Sequence, residues 1–153
     1  MAIDFYFDFA SPYGFIAAMQ IEAIERAVRW RPFLLGAVYK TFGQSPLDHP
    51  LKRKYVIEVH DPATAVAFAK AVYRRYRLEG SAISDAAVAA DVAASIACDR
   101  DAVSAGMQDA RMKSRLIREN EEATRNGVFG SPFFLVAGEP FWGSNRIAFL
   151  AQR

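Results

Sequence analysis

Residues 3–9, Ile3-Asp4-Phe5-Tyr6-Phe7-Asp8-Phe9, alternate strictly and then give way to Ser11-Pro12. Ile3, Phe5, Phe7 and Phe9 point to one side, and Asp4, Tyr6 and Asp8 to the other. A period of two with one very apolar face predicts a β-strand. Ser11-Pro12 then reads as a helix start, with serine as N-cap and proline at the first helical position. From Phe15 to Val28 the residues Phe15, Ala18, Met19, Ile24 and Val28 recur at helical spacing, leaving Glu22, Glu25 and Arg26 exposed. Val28 to Leu35 reads as a second strand, which makes the first quarter of the chain a βαβ unit.

The pattern then changes. From Lys40 to Pro62, Gly43, Pro46, Pro50 and Pro62 punctuate a loop. Thr64 to Leu78 carries an apolar stripe of Val66, Phe68, Ala69, Val72, Tyr73 and Tyr76. Ser84-Asp85 caps a second helix reaching Ile96 or Ala97, and Asp99-Arg100-Asp101 opens a short third. A charged helix follows from about Ala110 to Arg125 and stops at Asn126-Gly127, a typical C-terminal signal. Phe133 to Ala137 reads as a strand, Gly138-Glu139 as a hairpin turn, Pro140 to Trp142 as a second strand, and Ser144 to Gln152 as a closing helix. A βαβ half and an αββα half bracketing a helical block predict an α/β, thioredoxin-like fold with an inserted all-helical subdomain. The expected boundaries are 1–45 with 110–153 for the thioredoxin-like domain, and 46–109 for the insertion.

Charge and cysteine content narrow the function. Of 153 residues, 19 are Lys or Arg and 17 Asp or Glu, a net charge of +2. That balance leaves no nucleic-acid footprint, and Lys52-Arg53-Lys54 reads as a solvated turn. The one cysteine, Cys98, permits no internal disulfide and no cysteine-based metal cluster, and its apolar neighbours predict a buried, inert thiol. His49 and His60 lack zinc-site spacing, so no metal is expected. The N-terminus has no signal-peptide pattern, and no uncharged run is long enough to span a membrane. The expectation is a soluble cytoplasmic protein.

Four segments could carry chemistry. In Phe9-Ala10-Ser11-Pro12-Tyr13-Gly14, a helix N-terminus after a strand offers unpaired N–H groups and a positive dipole end, which favour an anion such as a thiolate. A redox thioredoxin-like protein places Cys-x-x-Cys there, whereas this chain has Ser11-Pro12-Tyr13-Gly14 and cannot exchange dithiols. Ser11 is therefore either a simple cap or a hydroxyl donor to another molecule's thiolate. In Gly127-Val128-Phe129-Gly130-Ser131-Pro132-Phe133-Phe134, Pro132 is either a strand-entry residue or a cis-proline. In the second case it faces the helix start, and Ser131 offers its main chain to an extended peptide. In Glu139-Pro140-Phe141-Trp142-Gly143-Ser144-Asn145-Arg146, Ser144 and Asn145 open a helix, as caps or as an anion site. Lys40, at a strand-to-loop exit, is either a surface lysine or a point charge for a ligand carboxylate.

These blocks resemble the family of 2-hydroxychromene-2-carboxylate isomerases and kappa-class glutathione transferases. The similarity lies in Asp4–Phe9 with Ser11-Pro12-Tyr13, in Arg31-Pro32-Phe33-Leu34-Leu35-Gly36, in Gly127–Phe134 and in Glu139–Arg146. The resemblance implies a thioredoxin-like fold, a homodimer, glutathione as cofactor and a small aromatic acid as substrate. It implies that Ser11 holds the glutathione sulfur as thiolate, that Ser131 before Pro132 pairs with the cysteinyl main chain, and that Trp142, Gly143, Ser144 and Asn145 line the γ-glutamyl end. Lys40 would face the organic acid. The reaction implied is a glutathione-dependent isomerisation, with kappa-type transfer or a non-catalytic binding module as alternatives. Two departures stand out: Asn145 replaces the family's usual Asp, and the chain is shortened between Tyr55 and Thr64.

Overall fold

The computed structural model describes residues 2–41 and 62–152. It divides into two compact units, residues 1–47 with 119–153, and residues 48–118. The expected loop of 40–62, His49, His60, Lys52–Lys54 and the Tyr55–Pro62 junction lie almost wholly outside the described residues. Among the described residues no helix is long and apolar enough to cross a membrane.

The first unit is built on four strands, β1 (Ile3–Phe7), β2 (Val28–Pro32), β3 (Phe133–Val136) and β4 (Glu139–Trp142), in the order β2-β1-β3-β4. β1 runs parallel to β2 and antiparallel to β3, and β3 runs antiparallel to β4. Helix α1 (Pro12–Gln20) makes the crossover from β1 to β2. After β2 comes α2 (Leu35–Thr41), and after β4 comes α7 (Ile147–Ala151). This is the expected thioredoxin-like arrangement, and local chemistry explains its joints. α6 (Ala110–Arg125) ends at Gly127, whose φ of +71° suits a residue without a side chain. Val128 N–H returns to Ala123 C=O at 2.9 Å and Gly127 N–H to Thr124 C=O at 3.1 Å, which satisfies two of the helix's last carbonyls.

β1 is buried on both faces. Phe5 lies between Phe134 at 5.2 Å and Phe7 at 5.4 Å, with Trp30 edge-on at 5.0 Å. On the opposite face Tyr6 clusters with Phe33, Val38 of α2, Ala123 of α6, Val128 and Phe133. The expectation of a single apolar face is thus corrected, because α2 and α6 cover the side that Asp4, Tyr6 and Asp8 occupy. Asp4 is accommodated there by ion pairs with Arg29 at 2.7 Å and Arg31 at 3.2 Å. Each fully buried phenylalanine contributes about 1.5–3 kcal/mol by leaving water.

Other boundaries also move. β1 ends at Phe7, not Phe9, because Asp8 turns the chain. α1 stops at Gln20 and a 3-10 turn, Ile21–Ala23, follows in place of helix continuing to Val28. Leu35 starts α2 and does not end β2. The hairpin turn is Ala137-Gly138, one residue earlier than expected: Val136 pairs with Glu139, and both turn residues have positive φ, +53° and +83°. Ser144–Arg146 forms a 3-10 turn before α7.

The second unit is all-helical over its described residues. It contains α3 (Pro62–Arg77), α4 (Ala86–Ser95), α5 (Arg100–Gln108) and the first turns of α6. Asp85 caps α4 by accepting from Ala87 N–H at 2.9 Å, and Asp99 caps α5 by accepting from Asp101 and Ala102 N–H. α4 packs on α3 and α5 through Ala89, Ala90, Val92 and Ala93, all buried. Cys98 lies between α4 and α5 and is only half-buried, so its expected burial does not hold.

Candidate functional site

The site grows from the end of β1. Asp8 closes the strand with an Asx turn, its Oδ1 accepting from Ala10 N–H at 2.8 Å. Its other oxygen accepts from Leu35 N–H at 2.8 Å, at the first residue of α2. The Asp8 carbonyl accepts from Ser11 N–H at 3.0 Å, which sets Ser11 at the N-cap of α1. Ser11 Oγ accepts from Gly14 N–H at 3.0 Å, the ordinary capping bond. Ser11 is therefore a cap, and its proton is left over for a second partner.

That partner is Ser131. Ser11 Oγ donates to Ser131 C=O at 2.7 Å across 120 residues of sequence. The Ser131–Pro132 bond is cis. Ser131 Oγ in turn accepts from Asp8 N–H at 2.9 Å. Residue 8 thus holds both serines through its main chain, Ser11 by its carbonyl and Ser131 by its amide. Ser11 and Ser131 are 8% and 7% exposed. Among the described residues two amides here have no hydrogen-bond partner, Tyr13 N–H at the second helical position of α1 and Ser131 N–H. One belongs to a helix terminus, whose dipole favours negative charge, and the other flanks an extended segment.

The rest of the C-terminal block is tied to this loop. Pro132 C=O accepts from Gly143 N–H at 3.1 Å. The Trp142 indole lies against Gly130, where a Cβ would collide with Nε1, and Phe129 meets it edge-on at 5.3 Å. Ser144 and Asn145 sit on the 3-10 turn beside α1. Gly143 has a φ of +103°, and Asn145 Oδ1 lies 2.7 Å from where its Cβ would stand, so the backbone there requires glycine. Neither Ser144 nor Asn145 makes a side-chain cap, contrary to the capping expectation; the N-cap position is Gly143. A groove of about 330 Å³ opens along Pro140, Phe141, Trp142, Arg146 and Phe149.

Ser11, Ser131, Pro132, Trp142 and Gly143 are brought together by these contacts, with Ser144 and Asn145 next to α1. Lys40 is not among them. It lies in the last turn of α2, exposed and without a hydrogen bond or ion pair among the described residues, and not at a strand exit. The sequence reading passed over Asp8 and Gly130. Strand alternation places Asp8 within the strand, although Asp-x-Ala before Ser-Pro is a turn signal. Gly130 carries no signal at all, since its need for a missing side chain comes from Trp142.

Elsewhere in this unit Asn126 Nδ2 donates to Tyr6 Oη at 2.9 Å, while burial pushes the Tyr6 hydroxyl above its ordinary pKa. Burial acts to lower the Arg31 pKa, but Asp4, Glu119 and Glu122 outweigh it and hold the guanidinium above its ordinary value.

Comparison with known proteins agrees with the thioredoxin-like fold. The DSBA-like thioredoxin domain family matches residues 58–153. The 2-hydroxychromene-2-carboxylate isomerase of Sphingobium xenophagum is 25% identical over 185 residues, covering 97% of this chain and 95% of that protein. The aligned span exceeds the length of this chain, so the isomerase carries residues that this chain lacks. A solved 2-hydroxychromene-2-carboxylate isomerase superposes with a TM-score of 0.81 at 21% identity, covering 99% of this chain and 93% of that one. The cytosolic disulfide reductase DsbM of Pseudomonas aeruginosa, solved with GSH, superposes with a TM-score of 0.61 at 17% identity, covering 99% of this chain and 93% of that one.

Proposed function

From the premise that the chain belongs to the DSBA-like thioredoxin domain family, we propose that it is a glutathione-dependent isomerase of an aromatic or chromene carboxylate, in which Ser11 stabilises the glutathione thiolate. The observation that carries this reading is the pairing of Ser11 Oγ with Ser131 C=O, 2.7 Å apart, beside a cis-proline and at a helix N-terminus that has no cysteine. The fold's thiol position is kept, but the sulfur must come from a ligand. The likeness to a named isomerase and to a reductase solved with GSH supports both halves of the proposal.

The residues present fit a thiol tripeptide. Tyr13 N–H and the α1 dipole favour a sulfur anion, worth about 0.3–1 kcal/mol for the dipole alone. Ser131 N–H and C=O form one rung of an antiparallel pair for an extended cysteinyl residue. Gly143, Ser144 and Asn145 stand beside α1 for the γ-glutamyl end. When bound, glutathione supplies the nucleophile that adds reversibly to the conjugated acid, so that a double bond can rotate. Ser11 contributes electrostatic stabilisation of the sulfur and takes no covalent part.

The test is turnover of 2-hydroxychromene-2-carboxylate by the full chain, followed by absorbance with and without glutathione. Glutathione-dependent isomerisation, reduced about a hundredfold in Ser11→Ala with the fold retained, is the expected result. Equal activity in Ser11→Ala removes the role given to Ser11. One observation favours a second reading, a binding module without turnover: the isomerase carries residues that this chain lacks. Calorimetric binding of glutathione without isomerisation supports that reading.

A further inference from the structure

The outer edge of the sheet carries aromatic side chains that the core does not absorb. β4 is the last strand in the order β2-β1-β3-β4, and among the described residues no strand lies beyond it. Phe141 and Trp142 are successive residues, so they stand on opposite faces of the strand. Both nevertheless line one groove of about 330 Å³ with Pro140, Arg146 and Phe149, because the groove wraps the open edge. Phe149 of α7 meets Phe141 at 5.7 Å. Trp142 and Phe149 are 56% and 45% exposed, which leaves a contiguous apolar area in water.

Arg146 adds the one charge in this lining. It precedes Phe149 by three residues, about one helical turn, so the two side chains leave the backbone on the same side. Arg29 and Arg31 of β2 are held by the carboxylates of Asp4, Glu119 and Glu122. The Arg146 guanidinium has no hydrogen bond or ion pair among the described residues.

We propose that this groove binds a planar aromatic carboxylate, with the ring against Trp142 and Phe149 and the carboxylate on Arg146. Aromatic walls favour a flat ring, by offset or edge-on stacking. A guanidinium matches a carboxylate with two parallel hydrogen bonds. The volume lies at the lower end of small-molecule pockets, about 300–1,000 Å³, and suits one or two fused rings. A peptide adding as a further strand is disfavoured, because Pro140 has no N–H to offer at this edge. The groove shares no lining residue with the Ser11–Ser131 pair, and the proposal does not depend on the thiol role given to that pair.

The experiment titrates the full chain, without glutathione, with three probes: 2-naphthoate, its neutral amide 2-naphthamide, and octanoate, which keeps the charge without the ring. The proton resonances of the two tryptophan indole N–H groups report binding, and Trp142→Phe identifies which belongs to Trp142. The expected result is a saturable shift of the Trp142 signal by 2-naphthoate, with 2-naphthamide and octanoate each binding about fivefold more weakly. Arg146→Gln, which removes a side chain without partners, is expected to lower the 2-naphthoate affinity to that of the amide. Phe149→Ala is expected to weaken both aromatic probes and leave their ratio unchanged. Equal affinity for 2-naphthoate and the amide overturns the proposal, as does an Arg146→Gln protein that binds 2-naphthoate like the parent. Octanoate binding as tightly as 2-naphthoate overturns the aromatic preference. A shift confined to the Trp30 signal places the ligand elsewhere. Tighter binding of an acidic, phenylalanine-containing peptide than of 2-naphthoate at the Trp142 signal assigns the groove to a protein partner and likewise overturns the proposal.

Discussion

Ser131 illustrates how much one side chain can hold. Its hydroxyl oxygen is the acceptor for Asp8 N–H, and both residues are buried. Ser131→Ala leaves that amide without a partner, and the expected cost is about 1–3 kcal/mol, measured by chemical denaturation. The main-chain carbonyl and amide of residue 131 survive the change, so loss of stability without loss of the Ser11–Ser131 register is the outcome to check. At this scale Ser11 and Pro132 were legible in the sequence because Ser-Pro and Ser-Pro before an apolar run are local signals. Asp8 was misread because strand alternation and an Asx turn place the same residue type at the same point, and only Leu35 N–H and Ala10 N–H, both bound to its carboxylate, distinguish them.

Among the elements, the β3–β4 hairpin and the loop before it carry two predictions. Ala137 occupies the left-handed region at φ +53°, which strains any residue with a Cβ. Ala137→Gly is expected to raise thermal stability by about 0.5–1 kcal/mol, because relief of the strain exceeds glycine's entropic cost. Gly130→Ala acts in the other direction. Its new Cβ meets the Trp142 indole, which must move away from the Ser131–Pro132 loop. The expected signs are a changed tryptophan fluorescence and glutathione affinity lower by roughly tenfold, about 1.4 kcal/mol; an unchanged indole environment would remove Trp142 from the site. α6 shows why element boundaries were easier to read than element roles. Its end at Asn126-Gly127 is a local signal, but most of its basic residues come early and its acidic residues late, against the helix dipole, with Arg125 alone placed favourably in the last turn. Glu119 and Glu122 are placed for Arg31 on β2, 3.4 and 3.3 Å away. No local pattern contains that pairing.

For the first unit as a whole, Tyr6 couples folding to pH. It is almost fully buried, accepts a hydrogen bond from Asn126, and has a hydroxyl pKa raised by that burial. Below about pH 10 tyrosine is neutral in both the folded and unfolded chain. Above it, the unfolded chain ionises first, so stability is present below the unfolded value and is lost as pH rises through the folded one. Denaturation midpoints are therefore expected to fall on the alkaline side. Tyr6→Phe should flatten that limb, at a cost of about 1 kcal/mol near neutrality from the lost Asn126 bond; an unaltered alkaline limb would assign it to other groups.

The sequence by itself determined the order of the four strands and of every longer helix except α2, the thioredoxin-like class and the serine at the helix start where a redox member carries cysteine. Each of these is written in short-range patterns: a period of two, a period of 3.6, caps and prolines. The tertiary structure decided what those residues face. Ser11 lies 120 positions from the carbonyl that takes its proton, and Lys40 sits in the last turn of a helix and not at a strand exit. Alternation in β1 reports one very apolar face, whereas burial of the other depends on what α2 and α6 bring to it. The physical reason is common to all three. Hydrogen bonds and packing act over a few ångströms in space, and only folding sets which distant segments come within that reach.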